Sequence, residues 1–276
     1  MIGAGWRWAE RVRHGGGTLR VLALHDTPDA TVLRERLRLL AENFDIVAPD
    51  AVTASPATAS TRPRLLLSFD DGYANWHSVA LPVLADLGLG AVFFVSSGLV
   101  GLKGAALRDF LRRRLLRRQE LPALEPEQLR ELAAQPGLAI GGHGTSHAHL
   151  GLPRDAAFWR AEIDDDRRRL EEWTGRQPML FAYPFGRPET VSPAAKAAVA
   201  AAGYRAAFTI VPGAVHAAAD PFALPRHCLD LTVPWPTMRA KLSGWHDPLH
   251  AIRALILGRR DRRRFALAAA VQENPS

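Results

Sequence analysis

Residues 64–73 read RLLLSFDDGY. Arg64 to Phe69 is an apolar run of the length of a buried strand, and it ends abruptly in two adjacent carboxylates, Asp70 and Asp71, before Gly72. Working outward, similar short runs recur at Val21–His25, Asp45–Val52, Ala91–Ser96, Leu138–Gly142, Met179–Tyr183, Arg205–Ile210 and Ala223–Leu229. Between them lie stretches with helical periodicity: Thr31–Asn43, Trp76–Leu87 with Gly88 as its cap, Leu107–Gln119, Pro126–Ala134, Ala156–Gly175 and Pro193–Ala202, ended by Gly203. Thr53–Pro63, rich in Ala, Ser, Thr and Pro, reads as a loop.

Alternation of short strands with helices predicts parallel strands joined by crossover helices, hence the α/β class. About seven parallel strands fit a distorted (β/α) barrel better than a complete eight-fold one. A doubly wound open sheet is the alternative, but no GxGxxG follows the first strand and no GxxxxGK[ST] occurs in the chain. In such barrels the side chains just past the C-terminal ends of the strands converge on one mouth. Residues 18–232 are expected to form this domain, and residues 233–276 a basic, helical extension.

Composition sets outer bounds. Of the 276 residues 47% are hydrophobic and 23% charged, as in a globular protein with a real core. Cys228 is the single cysteine, which excludes an internal disulfide and a cysteine metal cluster. Residues 1–17 lack the apolar segment of a secretory signal, so a cytoplasmic location is expected, extending at most to the inner membrane face. The net charge of +7 favours anionic partners. Arginine clusters at Arg112–Arg118, Arg167–Arg169 and Arg259–Arg264 raise a non-enzymatic nucleic-acid-binding reading, but no aromatic-basic interleaving accompanies them. No nucleic-acid partner is therefore expected, and the oligomeric state is not encoded. Between Pro248 and Val271, apolar residues alternate with arginines, the pattern of a helix packed on the barrel or of one lying on an anionic membrane.

Three segments carry chemistry. At Asp70-Asp71-Gly72, neighbouring carboxylates on an extended chain point in different directions, so one can bind a cation while the other faces water. At 141–150, GGHGTSHAHL, His143 and His147 are four apart with His149 close behind, and three of the ten histidines fall just past a strand. One aspartate with two histidines is an open ligand set for a catalytic divalent metal. At 181–186, FAYPFG, an aromatic-Pro-aromatic turn ends a strand and can offer a backbone N–H and flat rings to a groove.

SFDDGY, GGHGTSHAHL and FAYPFG, in this order, resemble the motifs of the polysaccharide deacetylase family, also called carbohydrate esterase family 4 or the NodB-homology domain, in its exopolysaccharide-deacetylase form. The resemblance runs from Val21 to Asp230. It implies a distorted (β/α) barrel and a hydrolase that removes acetyl groups from N-acetylated sugars of a polysaccharide, oligosaccharide or lipid-linked glycan. It further implies Asp70 as general base, Asp71, His143 and His147 as ligands of a divalent metal (zinc, with cobalt or nickel as alternatives), and the N–H of Phe185 as oxyanion donor. His227, in LPRHCLD, is the expected general acid, with His216, His246 and His250 in less regular surroundings. His25, Tyr73, Tyr183, Pro184 and Phe185 are expected to line the substrate groove. A non-sugar amide or an O-acetyl ester on the same fold is the competing substrate. Two departures stand out. Tyr183 occupies the position before Pro184 where many members carry arginine, and the later Asp-x-x-Asp-Trp motif is absent, which leaves the group that orients the base unassigned.

Overall fold

The structure is a computed structural model that describes residues 18–27, 29–54 and 62–244. Its frame is a parallel sheet of seven strands in the order β7-β6-β5-β4-β3-β1-β8: β1 (Leu19–Leu24), β3 (Arg64–Asp71), β4 (Ala91–Val95), β5 (Leu138–Gly142), β6 (Leu180–Ala182), β7 (Ala206–Phe208) and β8 (His227–Cys228). A short β2 (Asp45–Ile46) pairs with the start of β3 on the edge that β4 takes over from Leu67 onward. The sheet curls into a distorted barrel. Its ends meet through one segment: Leu224 bonds to Ala207 and Thr209 beside β7, and three residues later His227 and Cys228 pair with Leu22 and Ala23 of β1.

Strand alternation sorts the side chains. Leu19, Val21, Leu66, Val92, Phe94, Leu180, Ala182, Phe208 and Leu224 fill the barrel interior. Leu22, Leu24, Leu65, Leu67, Phe69, Phe93 and Val95 face the helices. That outer layer includes α1 (Ala30–Asn43), which presents Leu33, Leu37 and Leu40 on one stripe and is capped by Asp29. It also includes a π-helical turn (Trp76–Ala80) leading into α2 (Leu81–Leu87), α3 (Gly104–Arg113) and α4 (Pro126–Ala134). Beyond these run α5 (Ala156–Trp159), a π-helical turn (Arg160–Asp164), α6 (Asp165–Thr174), α7 (Pro193–Ala201) and α8 (Trp235–Leu242).

Several sequence expectations shift. The expected strand at 45–52 stops at Ile46 because Pro49 opens a 3-10 turn. The expected helix at 107–119 begins at Gly104 and ends at Arg113, and Leu116 takes a left-handed φ of 55° in the loop that follows. The expected helix at 156–175 is interrupted by its π-helical turn. Within the expected extension, α8 buries Met238 and Leu242 in the main core, so its first part belongs to the barrel. His246, His250 and the Pro248–Val271 segment lie outside the described residues. No helix among the described residues is long and apolar enough to cross a membrane.

Candidate active site

Asp70 and Asp71 finish β3 at the C-terminal mouth of the barrel. Alternation sends Asp70 into the interior and assigns Asp71 to the opposite face. Asp71 escapes that assignment through a φ of 94°, a costly conformation for a non-glycine residue that swings its carboxylate toward the loop after β5. There His143 and His147 place their Nε2 atoms 3.6 and 3.5 Å from Asp71 Oδ1. One ligand atom from each of Asp71, His143 and His147 lies within 4.8 Å of the others, and all three residues are buried.

The tautomers are fixed from behind. Nδ1–H of His143 donates to the Ala182 carbonyl at 2.7 Å, and Nδ1–H of His147 to the Arg114 carbonyl at 3.1 Å. Both Nε2 lone pairs therefore face Asp71, the arrangement a cation requires. Burial lowers His147 to about 4, which keeps that ring neutral. Burial also opposes charge on His143, but the carboxylates of Asp71 and Asp70 beside it raise it overall. Burial pushes Asp71 up, and the three neighbouring imidazoles, His143, His25 and His147, more than reverse that. The cluster thus attracts positive charge. The residues present fit a divalent cation bound by two imidazoles and a carboxylate, with positions left open.

Asp70 points beside this cluster and is gripped from the far end of the chain. Arg226 Nη1 and Nη2 donate to its two carboxylate oxygens at 2.7 and 2.8 Å. The guanidinium is fully buried. It also donates to Ser68 Oγ and the Thr209 carbonyl, and it lies against Phe94 and Phe208. Burial raises Asp70, but Arg226 and then His143 outweigh it and hold the carboxyl below its ordinary value. A cavity of about 140 Å³ opens over the group, walled by His25, Asp70, Asp71, Leu115, Arg117, Tyr183, Phe185 and Cys228 among others.

The sequence profile of the polysaccharide deacetylase family matches residues 57–207, more than half of the chain. The chain belongs to the polysaccharide deacetylase family. YxkH of Bacillus subtilis (strain 168), a protein that carries a polysaccharide deacetylase name, is 29% identical over 165 residues, 59% of this chain and 50% of YxkH. The chain thus spans about half the length of the curated relative it matches. Among solved structures, IcaB from Ammonifex degensii superposes with a TM-score of 0.63 at 20% identity, covering 84% of this chain and 97% of IcaB. The Streptococcus pyogenes deacetylase PplD, solved in complex with acetate, gives 0.64 at 19% identity, covering 82% of this chain and 98% of PplD. These likenesses show the deacetylase barrel.

Within that frame the sequence-predicted residues divide. Asp70, Asp71, His143, His147, His25, Tyr183 and Phe185 line one cavity. Tyr183 is fully buried, its hydroxyl donating to the Phe222 carbonyl. The Phe185 ring stacks edge-on against His147 at 4.6 Å; its φ is 61°, and its N–H has no acceptor among the described residues. Three expectations need correction. Tyr73 does not touch the cavity: its ring is buried in the outer core, and its hydroxyl donates to Asp71 Oδ2 at 2.6 Å, steadying that carboxylate. Pro184 is also off the wall and sits beside Gly144. His227 is not in the site. It follows Arg226 by one residue, so alternation turns it to the outer face, where its Nε2 lies 3.1 Å from Arg20 Nη1.

Two carboxylates behind the histidine loop were not anticipated. Asp166, completely buried, accepts the Ser97, His143 and Gly144 N–H groups at 2.9, 3.2 and 3.2 Å. Burial pushes it up to about 7 against the hydrogen bonding of Ser97. Glu162 accepts the Ser146 N–H and hydroxyl at 3.0 and 2.6 Å. The π-helical turn carries Glu162 and delivers Asp166 just past its end, so both reach the loop. Gly142 makes room for Asp166, because a Cβ there would run into the Tyr204 hydroxyl and stand 2.9 Å from Asp166 Oδ2. The only sequence signal is the placement of two acids four apart on a helix that follows the histidine loop.

Proposed function

We propose that this chain is a metal-dependent hydrolase that removes acetyl groups from N-acetylated sugars. The observation that carries the reading is the convergence of Asp71, His143 and His147 beside a separate, guanidinium-clamped Asp70. A divalent cation held by Asp71, His143 and His147, with zinc the first candidate for such a ligand set, supplies Lewis acidity and lowers the pKa of water.

The remaining chemistry falls to side chains of the chain. Asp70, kept ionised by Arg226, takes the proton from the attacking water. The Phe185 N–H donates to the oxygen that gains charge as the carbonyl is attacked. His25 returns a proton to the departing sugar amine; it is the remaining imidazole of the cavity wall, and it takes the role the sequence suggested for His227. Leu115, Tyr183 and Phe185 narrow the space available to water. The C–N bond breaks, water supplies the hydroxyl of acetate and the proton of the amine, and the products are acetate and a free amino sugar.

The test is acetate release from N-acetylglucosamine oligomers, set beside an O-acetylated sugar and a simple acetamide, with elemental analysis of the purified protein. Asp70→Asn is expected to lose about 10²- to 10⁴-fold in rate while keeping its metal. His147→Ala loses metal and rate together. Equal rates in all three proteins would end the assignment, and a preference for the acetamide would move the substrate away from sugars.

A further inference from the structure

A second cavity, of about 400 Å³, adjoins the catalytic one and shares His25, Arg117 and Cys228 with it. Pockets that enclose small molecules run to about 300–1,000 Å³. The catalytic cavity, at about 140 Å³, is smaller than that. A substrate whose acetyl group reaches Asp70 and Asp71 must therefore extend out of it, and the shared wall leads into the second space. We propose that this second cavity holds the next amino sugar of the same glycan and prefers one whose amine is already free. The proposal rests on the hydrolase reading above.

The floor is apolar, with Leu24, Leu229 and Leu231 buried beneath it, and suits the less polar face of a pyranose ring. The rim is acidic and rigid. Asp29 Oδ1 accepts the Thr31 and Val32 N–H groups at the start of α1. Asp230 Oδ1 accepts the N–H and hydroxyl of Thr232, bonds that hold its carboxyl below the ordinary value. Asp26 Oδ1 lies 3.3 Å from Arg117. Each carboxylate is thus fixed through one oxygen, and its second oxygen engages no other described residue. Three carboxylates against one guanidinium make this wall negative in a chain of net charge +7. An N-acetyl group is neutral whereas a sugar ammonium is positive, so the wall tells product from substrate. Each deacetylation then creates the group that fits the neighbouring subsite in the next cycle.

Calorimetry with glucosamine trimer and with N-acetylglucosamine trimer reads the preference without catalysis. The free-amine trimer is expected to bind about three- to tenfold more tightly, the range that two partly exposed ion pairs support. That ratio is expected to fall to about one in Asp29→Asn/Asp230→Asn. Asparagine still caps a helix and closes such turns, so the double variant keeps the fold, which its thermal midpoint verifies. Equal affinities for the two trimers, or a ratio that survives the double substitution, would overturn the proposal. A charge preference without acetate release from any oligomer would instead sink the hydrolase reading and leave the subsite standing.

Discussion

Two buried arginines sit on opposite faces of the same sheet, each paired with a residue far away in sequence. Arg226 faces the interior and clamps Asp70; Arg20 faces outward and meets His227. Arg226 and His227 are consecutive, yet one reaches Asp70 at the cavity and the other supports the shell. The difference teaches that in a strand the direction of a side chain, set by parity, outranks its nearness in sequence to a site. A histidine at the right strand end carries no catalytic weight if alternation turns it away.

Arg226→Met should do the most damage. It leaves Asp70 as a buried carboxylate with no partner, a change of about 3–5 kcal/mol in stability where buried pairs are broken. Activity should drop by about 10- to 100-fold as the base loses its orientation. The sign of the pH effect is fixed: Arg226 holds Asp70 below its ordinary value, so its loss raises the Asp70 pKa and moves the acid limb of kcat/KM to higher pH. An acid limb that stays in place would show that the pair has no part in the chemistry. The same depression means that wild-type stability from Asp70 is present above the unfolded carboxylate pKa and is lost as pH falls through the folded one.

Tyr73→Phe sharpens the comparison from the outer side, where Tyr73 is buried but its hydroxyl reaches through to Asp71. Loss of a hydrogen bond behind a metal ligand is expected to weaken metal affinity about 10-fold or more, measured by chelator competition. Unchanged affinity would reduce Tyr73 to a packing residue. Asp166→Asn should weaken the metal by a similar factor or less and cost about 1–3 kcal/mol, because its amide group replaces an acceptor oxygen facing the Ser97 N–H or the His143 and Gly144 N–H groups. His227→Gln should have the smallest effect: about 1 kcal/mol in thermal unfolding, with kcat/KM and its pH profile as in wild type. A collapse of kcat in that variant would restore His227 to catalysis and break the parity argument.

The sequence made the strand ends legible, and with them the candidate metal donors, because Asp71, His143 and His147 fall where apolar runs stop. It could not show Arg226 as the clamp. The partner lies 156 residues away, and the parity at 226 depends on a segment that leaves β7 and joins β1 within a few residues. Tyr73 was misread for a related reason: a motif residue beside two carboxylates at a strand end suggests the groove, but Gly72 at φ 127° turns the chain so that the ring enters the core. Arg114–Arg117 continue a helical composition, and nothing local announces that Leu116 will leave it and hang Leu115 and Arg117 over the cavity. The two acids behind the histidine loop need a π-helical turn, which no periodicity count detects.

The segment that joins the two ends of the sheet also brings Arg226 to Asp70. In chain order Asp71, His143 and His147 all precede residue 224. The proposed ligands of the cation thus lie in an earlier part of the chain than the guanidinium that aims the proposed base. In the activity proposed above, the base is therefore aimed by the same segment that joins the two edges of the sheet, which ties the chemistry to the closure of the strand order.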